Sequence, residues 1–178
     1  MTKEEREKLR KEVGMRRLLD IGAETVDVVS GRVGGTMEEK GVLVMDDGTR
    51  LPYNMRRREG ELPSMRPVLV LPEGLDAEDA EVRVQRYLLS WRTVMVASTR
   101  EDDGTLQSLT RRAEDALALA RHLSHRNAGK TVEVYAHGNA VAAAALMMAA
   151  ERPYFSVLTA EDPPPSRKGW PEWEVMAK

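Results

Sequence analysis

The chain has 178 residues, is 42% hydrophobic and carries a formal net charge of -2, a length and composition that suit one domain with a packed core. It holds no cysteine, which excludes disulfides, thiolate catalysis and cysteine-type zinc sites. Evenly mixed charge excludes the basic face of a nucleic-acid binder, no apolar run approaches the roughly 20 residues of a membrane span, and the charged N-terminus is no signal peptide, so a cytoplasmic protein with neither nucleic acid nor membrane as partner is expected.

Residues 2–19 read as a surface helix that Thr2 can cap, with Glu4 and Glu5 in the first turn where the helix dipole favours acids. Its stripe of Leu9, Val13 and Leu19 suits packing on the sheet edge or on a partner. Residues 25–30 form a first strand, and Gly31, Gly34 and Gly35 surround a turn. No helix and no Lys-Ser/Thr pair follows those glycines, so they read as a turn in preference to a phosphate loop. Residues 39–45 form a second strand with Val42 and Val44 on one face, and Asp46, Asp47, Gly48 and Thr49 signal a hairpin turn. Residues 51–57 return. Arg56, Arg57 and Arg58 read as a solvated strand end in preference to an anion site, and residues 59–64 as a loop.

The second half alternates strands and helices. The continuous apolar run 67–71 is typical of a strand buried on both faces of a parallel sheet, and Pro72-Glu73-Gly74 ends it. A helix from Asp76 or Ala77 to Leu89 is expected to bury Val82, Val84 and Leu88/Leu89. Residues 93–97 form the next strand, and 98–106 a polar loop. Ser108 can cap a long helix from Leu109 to about Asn127, its inner face carrying Leu109, Ala113, Ala116, Leu117, Ala120 and Leu123. A β-branched strand then feeds a His137-Gly138 turn that opens into the Ala/Leu/Met helix 140–150, where Met147 and Met148 read as core. Arg152-Pro153 stops it, and 155–159 is the last strand. The expected organisation is an N-terminal helix (1–22), an α/β domain (23–165) and a tail (166–178) whose Trp170 and Trp173 suggest docking on a surface. An antiparallel meander followed by right-handed β-α-β crossovers, with helices on both sheet faces, is the predicted architecture. Sites in such sheets lie at the carboxyl ends of the strands. There the loops 72–74, 98–104 and 136–139 converge.

This layout resembles the α/β-hydrolase fold and, within it, the acetyl xylan esterase or cephalosporin deacetylase-like group. Residues 41–53 resemble the early hairpin of those esterases, and 66–74 the strand ending in their His-Gly oxyanion loop, with Pro72-Glu73-Gly74 in its place. Residues 109–123 resemble the helix before the nucleophile strand, 134–146 the nucleophile elbow and its helix, and 155–164 the strand and loop that follow. The resemblance implies an α/β-hydrolase-like three-layer sandwich, mostly parallel, with the N-terminal meander and with the C-terminal strands of that fold missing. The family's elbow reads small-x-Ser-x-small, and here that frame is Ala136-His137-Gly138-Asn139-Ala140, so the serine position holds Gly138. Glycine has nothing to attack with. The family's acid is matched by Asp162, and no histidine follows it; His122 and His125 read as solvated residues at a helix end.

The candidate site is therefore a remnant elbow, His137, Gly138 and Asn139, with Asp162 as a possible acid and Glu73, Gly74 and Asn139 as ligand-binding positions. The backbone N–H of Asn139 is placed to serve an oxyanion-like hole. Glu101, Asp102 and Asp103 with Glu73 and His137 fit no metal-loop spacing and read as a solvated turn; no metal and no cofactor is expected. Ser98, Thr99 and Ser108 read as capping and turn hydroxyls in preference to nucleophiles. Three functions stay open. One is a non-catalytic domain with a structural, oligomerisation or partner-binding role, a pseudoenzyme whose partner is a second copy or another protein. Another is a carboxylic ester hydrolase whose nucleophile is replaced or whose site another chain completes. The last is a small-molecule binder that uses the oxyanion-like hole at the elbow for a carboxylate or phosphate.

Overall fold

The computed structural model describes residues 1–60, 65–165, 167, 168 and 171. Trp170 and Trp173, and most of the 59–64 loop, lie outside the described residues. Strands β1 (Ala23–Val33), β2 (Thr36–Met45) and β3 (Arg50–Arg58) form the expected meander, followed by β4 (Val68–Leu71), β5 (Val94–Ala97), β6 (Val132–His137) and β7 (Phe155–Glu161). Together they make one sheet of seven strands in the order β1-β2-β3-β5-β4-β6-β7. β3 meets β5 antiparallel, and β5, β4, β6 and β7 run parallel. The helices are α1 (Lys3–Val13), α2 (Ala77–Leu89), α3 (Leu106–His125) and α4 (Ala140–Ala150). This is the α/β-hydrolase-like sandwich that the resemblance implies. No helix among the described residues is long and apolar enough to cross a membrane.

The pleat assigns the two sheet faces. Val68 and Val70 of β4 pack with Val94, Tyr135 and the α2 residues Val84 and Leu88. Leu69 and Leu71, pointing the other way, join α3, α4 and α1 in the main core. Leaving β4, the chain moves to one side, to β5, then crosses back so that β6 lies on β4's other side. Between β4 and β6 the direction of winding reverses, and the loops at their carboxyl ends turn to opposite faces, opening a crevice.

Several boundaries differ from those expected, each for a local reason. α1 stops at Val13 because Gly14, at φ +69°, forms a left-handed C-cap; residues 14–17 are non-helical and Leu18–Asp20 is one 3-10 turn. The helix lies on the surface, with Arg10 and Val13 as its buried residues. Its buried Arg10 donates to Ala150 O at 2.5 Å and pairs with Glu151 at 3.0 Å, closing the C-terminal end of α4. β1 runs through Gly31, and the turn is at Gly34-Gly35. In α2, Val84 and Leu88, four apart, share the buried face, whereas Val82 and Leu89 are 47% and 70% exposed rather than buried. α3 is capped by Thr105, whose hydroxyl accepts from Ser108 N at 3.1 Å, so Ser108 lies inside the helix, and the helix ends at His125.

His122 is likewise not a solvated residue. Its ring packs at a tilt against Tyr53 with centroids 5.1 Å apart and faces Glu39 at 3.4 Å, while Tyr53 Oη and Arg126 donate to the same carboxylate at 2.9 and 2.6 Å. Burial pushes His122 below its ordinary value of 6.5, against the pull of Glu39. Burial raises Glu39, but its bonds to Tyr53, His122 and Arg126 prevail and hold it below 4.5. Both groups therefore take up protons more readily in the unfolded chain. Their contribution to stability is intact above pH 6.5 and is lost as pH falls, first through His122 and then through Glu39. Urea unfolding at a series of pH values is expected to show stability declining below pH 6.5, with His122→Gln flattening the first part of that decline. An unchanged slope in the variant would show that His122 is not part of it.

Candidate active site at the carboxyl edge

β6 ends at His137, and Gly138 turns the chain into α4 with φ +60°. Its N–H donates to Glu161 O at 3.0 Å, and its carbonyl accepts from Val141 N at 3.1 Å. α4 then runs with all of its residues buried, as an Ala-rich helix without a polar face must be. Opposite the turn, the 72–74 loop leaves β4. Glu73 O lies 2.6 Å from His137 Nδ1. A carbonyl only accepts, so Nδ1 carries the proton and donates. The other ring nitrogen, Nε2, faces Asp162 Oδ2 at 4.0 Å, and that carboxylate is 83% exposed. Gly74, at φ +76°, packs against the same ring. Asn139 is exposed and opens α4 in a helical conformation, with no side-chain cap bond. The fold thus gathers Glu73, Gly74, His137, Gly138 and Asp162 in the crevice between β4 and β6, with Asn139 at its rim.

The decisive distance is at Gly138. A Cβ built there would stand 2.8 Å from Glu73 O, well inside van der Waals contact and against backbone rather than a movable side chain. The place from which an elbow nucleophile would project is filled by the carbonyl of the β4 loop. A cavity of about 170 Å³ opens beside it, lined by Leu71, Glu73, Ala97, Ser98, Thr99 and Ala140 among others. A larger cavity of about 670 Å³, lined by Leu18, Ile21, Leu117, Val132 and Phe155 among others, lies away from the elbow, near the amino end of β6.

Sequence reasoning did not find what holds these loops. Arg112 projects from α3 with its side chain 3% exposed. Its Nε donates to Thr99 Oγ1 and Arg100 O at 3.0 Å, and Nη2 pairs with Glu73. One helix turn on, buried Asp115 takes Arg100 Nε at 2.9 Å, Arg100 Nη2 at 2.8 Å and the Arg100 backbone N at 3.0 Å. Arg100 also reaches Asp47 at 2.7 Å. Burial raises Asp47, but the Arg100 guanidinium and the hydrogen bonds from Thr49 together outweigh it and hold the carboxyl well below the usual range. The available signal was Arg111-Arg112-Ala113-Glu114-Asp115, charges on an otherwise apolar helix. Two of the acids weighed for a metal are engaged in turns and with arginines: Asp102 accepts from Gly104 N at 2.8 Å and faces Arg112 at 4.0 Å, and Asp103 accepts from Thr105 N at 2.9 Å; Glu101 is exposed. Among the described residues no group of three or more His, Cys, Asp or Glu is placed to hold a metal ion. Thr99 bonds Arg112, and Ser108 donates to Glu101 O at 3.3 Å and accepts from Asp103 N at 3.2 Å, as capping hydroxyls do.

No family model matches the sequence, and no curated protein does. Solved structures share its fold. A cold-adapted esterase from an Arctic intertidal metagenomic library superposes with a TM-score of 0.59 at 12% identity, over 77% of this chain and 63% of that one. Acetyl xylan esterase 1 from Thermoanaerobacterium sp. gives a TM-score of 0.57 at 17% identity, over 88% of this chain and 57% of that one. A prolyl endopeptidase gives 0.57 at 16% identity, over 72% of this chain and 21% of that one. The chain spans about 63% of the length of the first of these. The shared fold is that of the esterases the sequence resembles.

The crowding at Gly138 has a measurable cost. Gly138→Ala combines a left-handed backbone with the contact to Glu73 O and is expected to destabilise by about 3 kcal/mol. Gly74→Ala has a similar φ, but its nearest neighbour is 3.7 Å away, and it should cost only about 1 kcal/mol. Chemical denaturation of both variants reads the difference; equal costs would show that the elbow is not crowded.

Proposed function

We propose that this chain is an esterase-type α/β-hydrolase domain whose elbow is closed to covalent catalysis, and that it acts by binding or assembly. The approach of Glu73 O to Gly138, 2.8 Å from a Cβ built there, supports this reading. Covalent ester hydrolysis begins with a side-chain nucleophile on the strand-to-helix turn. Gly138 supplies none, and a serine in its place would meet backbone. An oxyanion needs N–H donors; the loop instead presents a carbonyl, whose partial charge has the wrong sign. His137 spends its Nδ1 proton on that carbonyl, and its other neighbour, Asp162, is solvated. The partner we propose is a second copy or another protein, docked along β7, which ends the described sheet and exposes Val157 and, just before it, Tyr154.

The second reading is a carboxylic ester hydrolase acting on short acyl esters, favoured by the esterases that share the fold. It requires a nucleophile from outside the elbow or from another chain. Among the hydroxyls considered, Thr99 and Ser108 are engaged, and Ser98 is exposed.

A fluorophosphonate probe and an aryl acetate substrate separate the two. The first reading predicts no stoichiometric labelling and no turnover above that of a His137→Ala variant. One label per chain, or turnover lost with His137, overturns it in favour of the hydrolase. Sedimentation tests the assembly: a mass above 19.9 kDa supports self-association, and a monomer that captures no partner contradicts it.

A further inference from the structure

The three arginines that end β3 do not behave alike. Arg56 points to the α2 face and pairs bidentately with Glu81 at 2.8 and 2.7 Å. Arg58 lies 4.0 Å over the Trp91 ring. Arg57 turns to the opposite face from Arg56, as the pleat requires. It has no ion-pair partner among the described residues, and its Nη1 is buried without a hydrogen bond. Such a group is costly unless something accepts from it.

The register shows what surrounds it. Arg57 is opposite Met37 and Met55 opposite Glu39 on β2, while Met55 is opposite Met95 on β5. Two residues before Met95, Thr93 shares that face. Thr93 is 3% exposed, and its Oγ1 also lacks a hydrogen bond among the described residues. Arg57, Thr93 and Arg126, from the C-cap of α3, line one cavity of about 280 Å³ with Met37, Met55 and Glu39. Glu39 is bonded by Tyr53, His122 and Arg126, and no bond runs from Arg57 to it. Two residues lining the cavity thus carry buried donors, a guanidinium N–H and a hydroxyl, without a hydrogen bond among the described residues, and a third, Arg126, brings a guanidinium that is 55% exposed and paired with Glu39.

From this geometry we propose a binding site for a small oxyanion, a carboxylate or a phosphate group, held by Arg57 and Thr93 with Arg126 at the entrance. Planar or tetrahedral oxygens match the guanidinium fork, and a hydroxyl adds one further donor. The site opens among the β3 end, the residue before β5 and the end of α3. The elbow is at the other ends of the parallel strands, so occupancy is independent of the elbow's chemistry.

The test uses inorganic phosphate and acetate, each titrated into the full chain at constant ionic strength by calorimetry and by thermal melting. Saturable binding of either anion, with a rise in melting temperature, is expected; which anion binds names the class. Arg57→Gln should weaken binding by about tenfold or more, and Thr93→Val, which keeps the shape, by about threefold. Arg58→Gln should leave it within about twofold. Arg57→Lys keeps the charge without the fork and covers the case in which the glutamine variant does not fold; it too should bind more weakly. Absence of saturable binding by both anions, or equal binding by wild type, Arg57→Lys and Thr93→Val, would overturn the proposal.

Discussion

α4 is buried from its first residue to its last, and much of the architecture follows from that. A helix with no polar face has to be enclosed. β6 and β7 lie on one side of it, and α1 and α3 cover the rest. Its C-terminal carbonyl cannot reach water and is met by Arg10 and the Arg10–Glu151 pair. Its N-terminal entry must turn sharply out of a central strand, and Gly138 at φ +60° makes that turn. An L-residue adopts this conformation only with strain, so the absence of a side chain suits the turn on conformational grounds alone. It also lets the Glu73 carbonyl descend onto the turn, where His137 fixes it. The same residue that permits close packing thereby closes the position where a hydrolase of this fold carries its reacting atom.

Charge is used differently at the two edges of the sheet. At the carboxyl edge, α3 sends Arg112 and Asp115 into the loops after β4 and β5. There Glu73, Thr99, Arg100 and Asp47 complete a network in which the buried groups are answered. Buried pairs of this kind add little net stability but strongly disfavour other loop arrangements, since losing one partner strands the other. At the opposite edge Arg57 and Thr93 keep buried polar atoms that nothing described answers. The first edge is organised around its own residues; the second has capacity left for a ligand.

How much of this was legible in the sequence depends on the range of the interaction. The buried run 67–71, the Ala-rich helix and the hairpin turn at Asp46–Thr49 declared the layers and the N-terminal meander, because hydrophobic period and turn chemistry are local signals; the strand order was not legible. The gathering of Glu73, Gly74, His137, Gly138 and Asp162 followed from strand ends sharing one edge. Helix limits were less legible: α1 stops at Gly14 although apolar residues continue beyond it, and α3 is capped by Thr105 while Ser108, three residues on, is an equally good cap by type. Residues whose role depends on a partner far along the chain were not legible. Arg112 meets Glu73 across 39 positions, and His122 meets Glu39 across 83. Arg57 looks identical to its neighbours until the pleat assigns it a face.

The central claim is that the Glu73 carbonyl occupies the elbow and is held there by His137. The protonation of the His137 ring reports this directly through long-range nitrogen–proton NMR correlation at neutral pH. The account predicts the tautomer with the proton on Nδ1, and an Nδ1 proton protected from solvent exchange by its bond to Glu73 O. A His137 ring with Nδ1 unprotonated and the proton on Nε2 would contradict it, since no hydrogen bond to that carbonyl could then form.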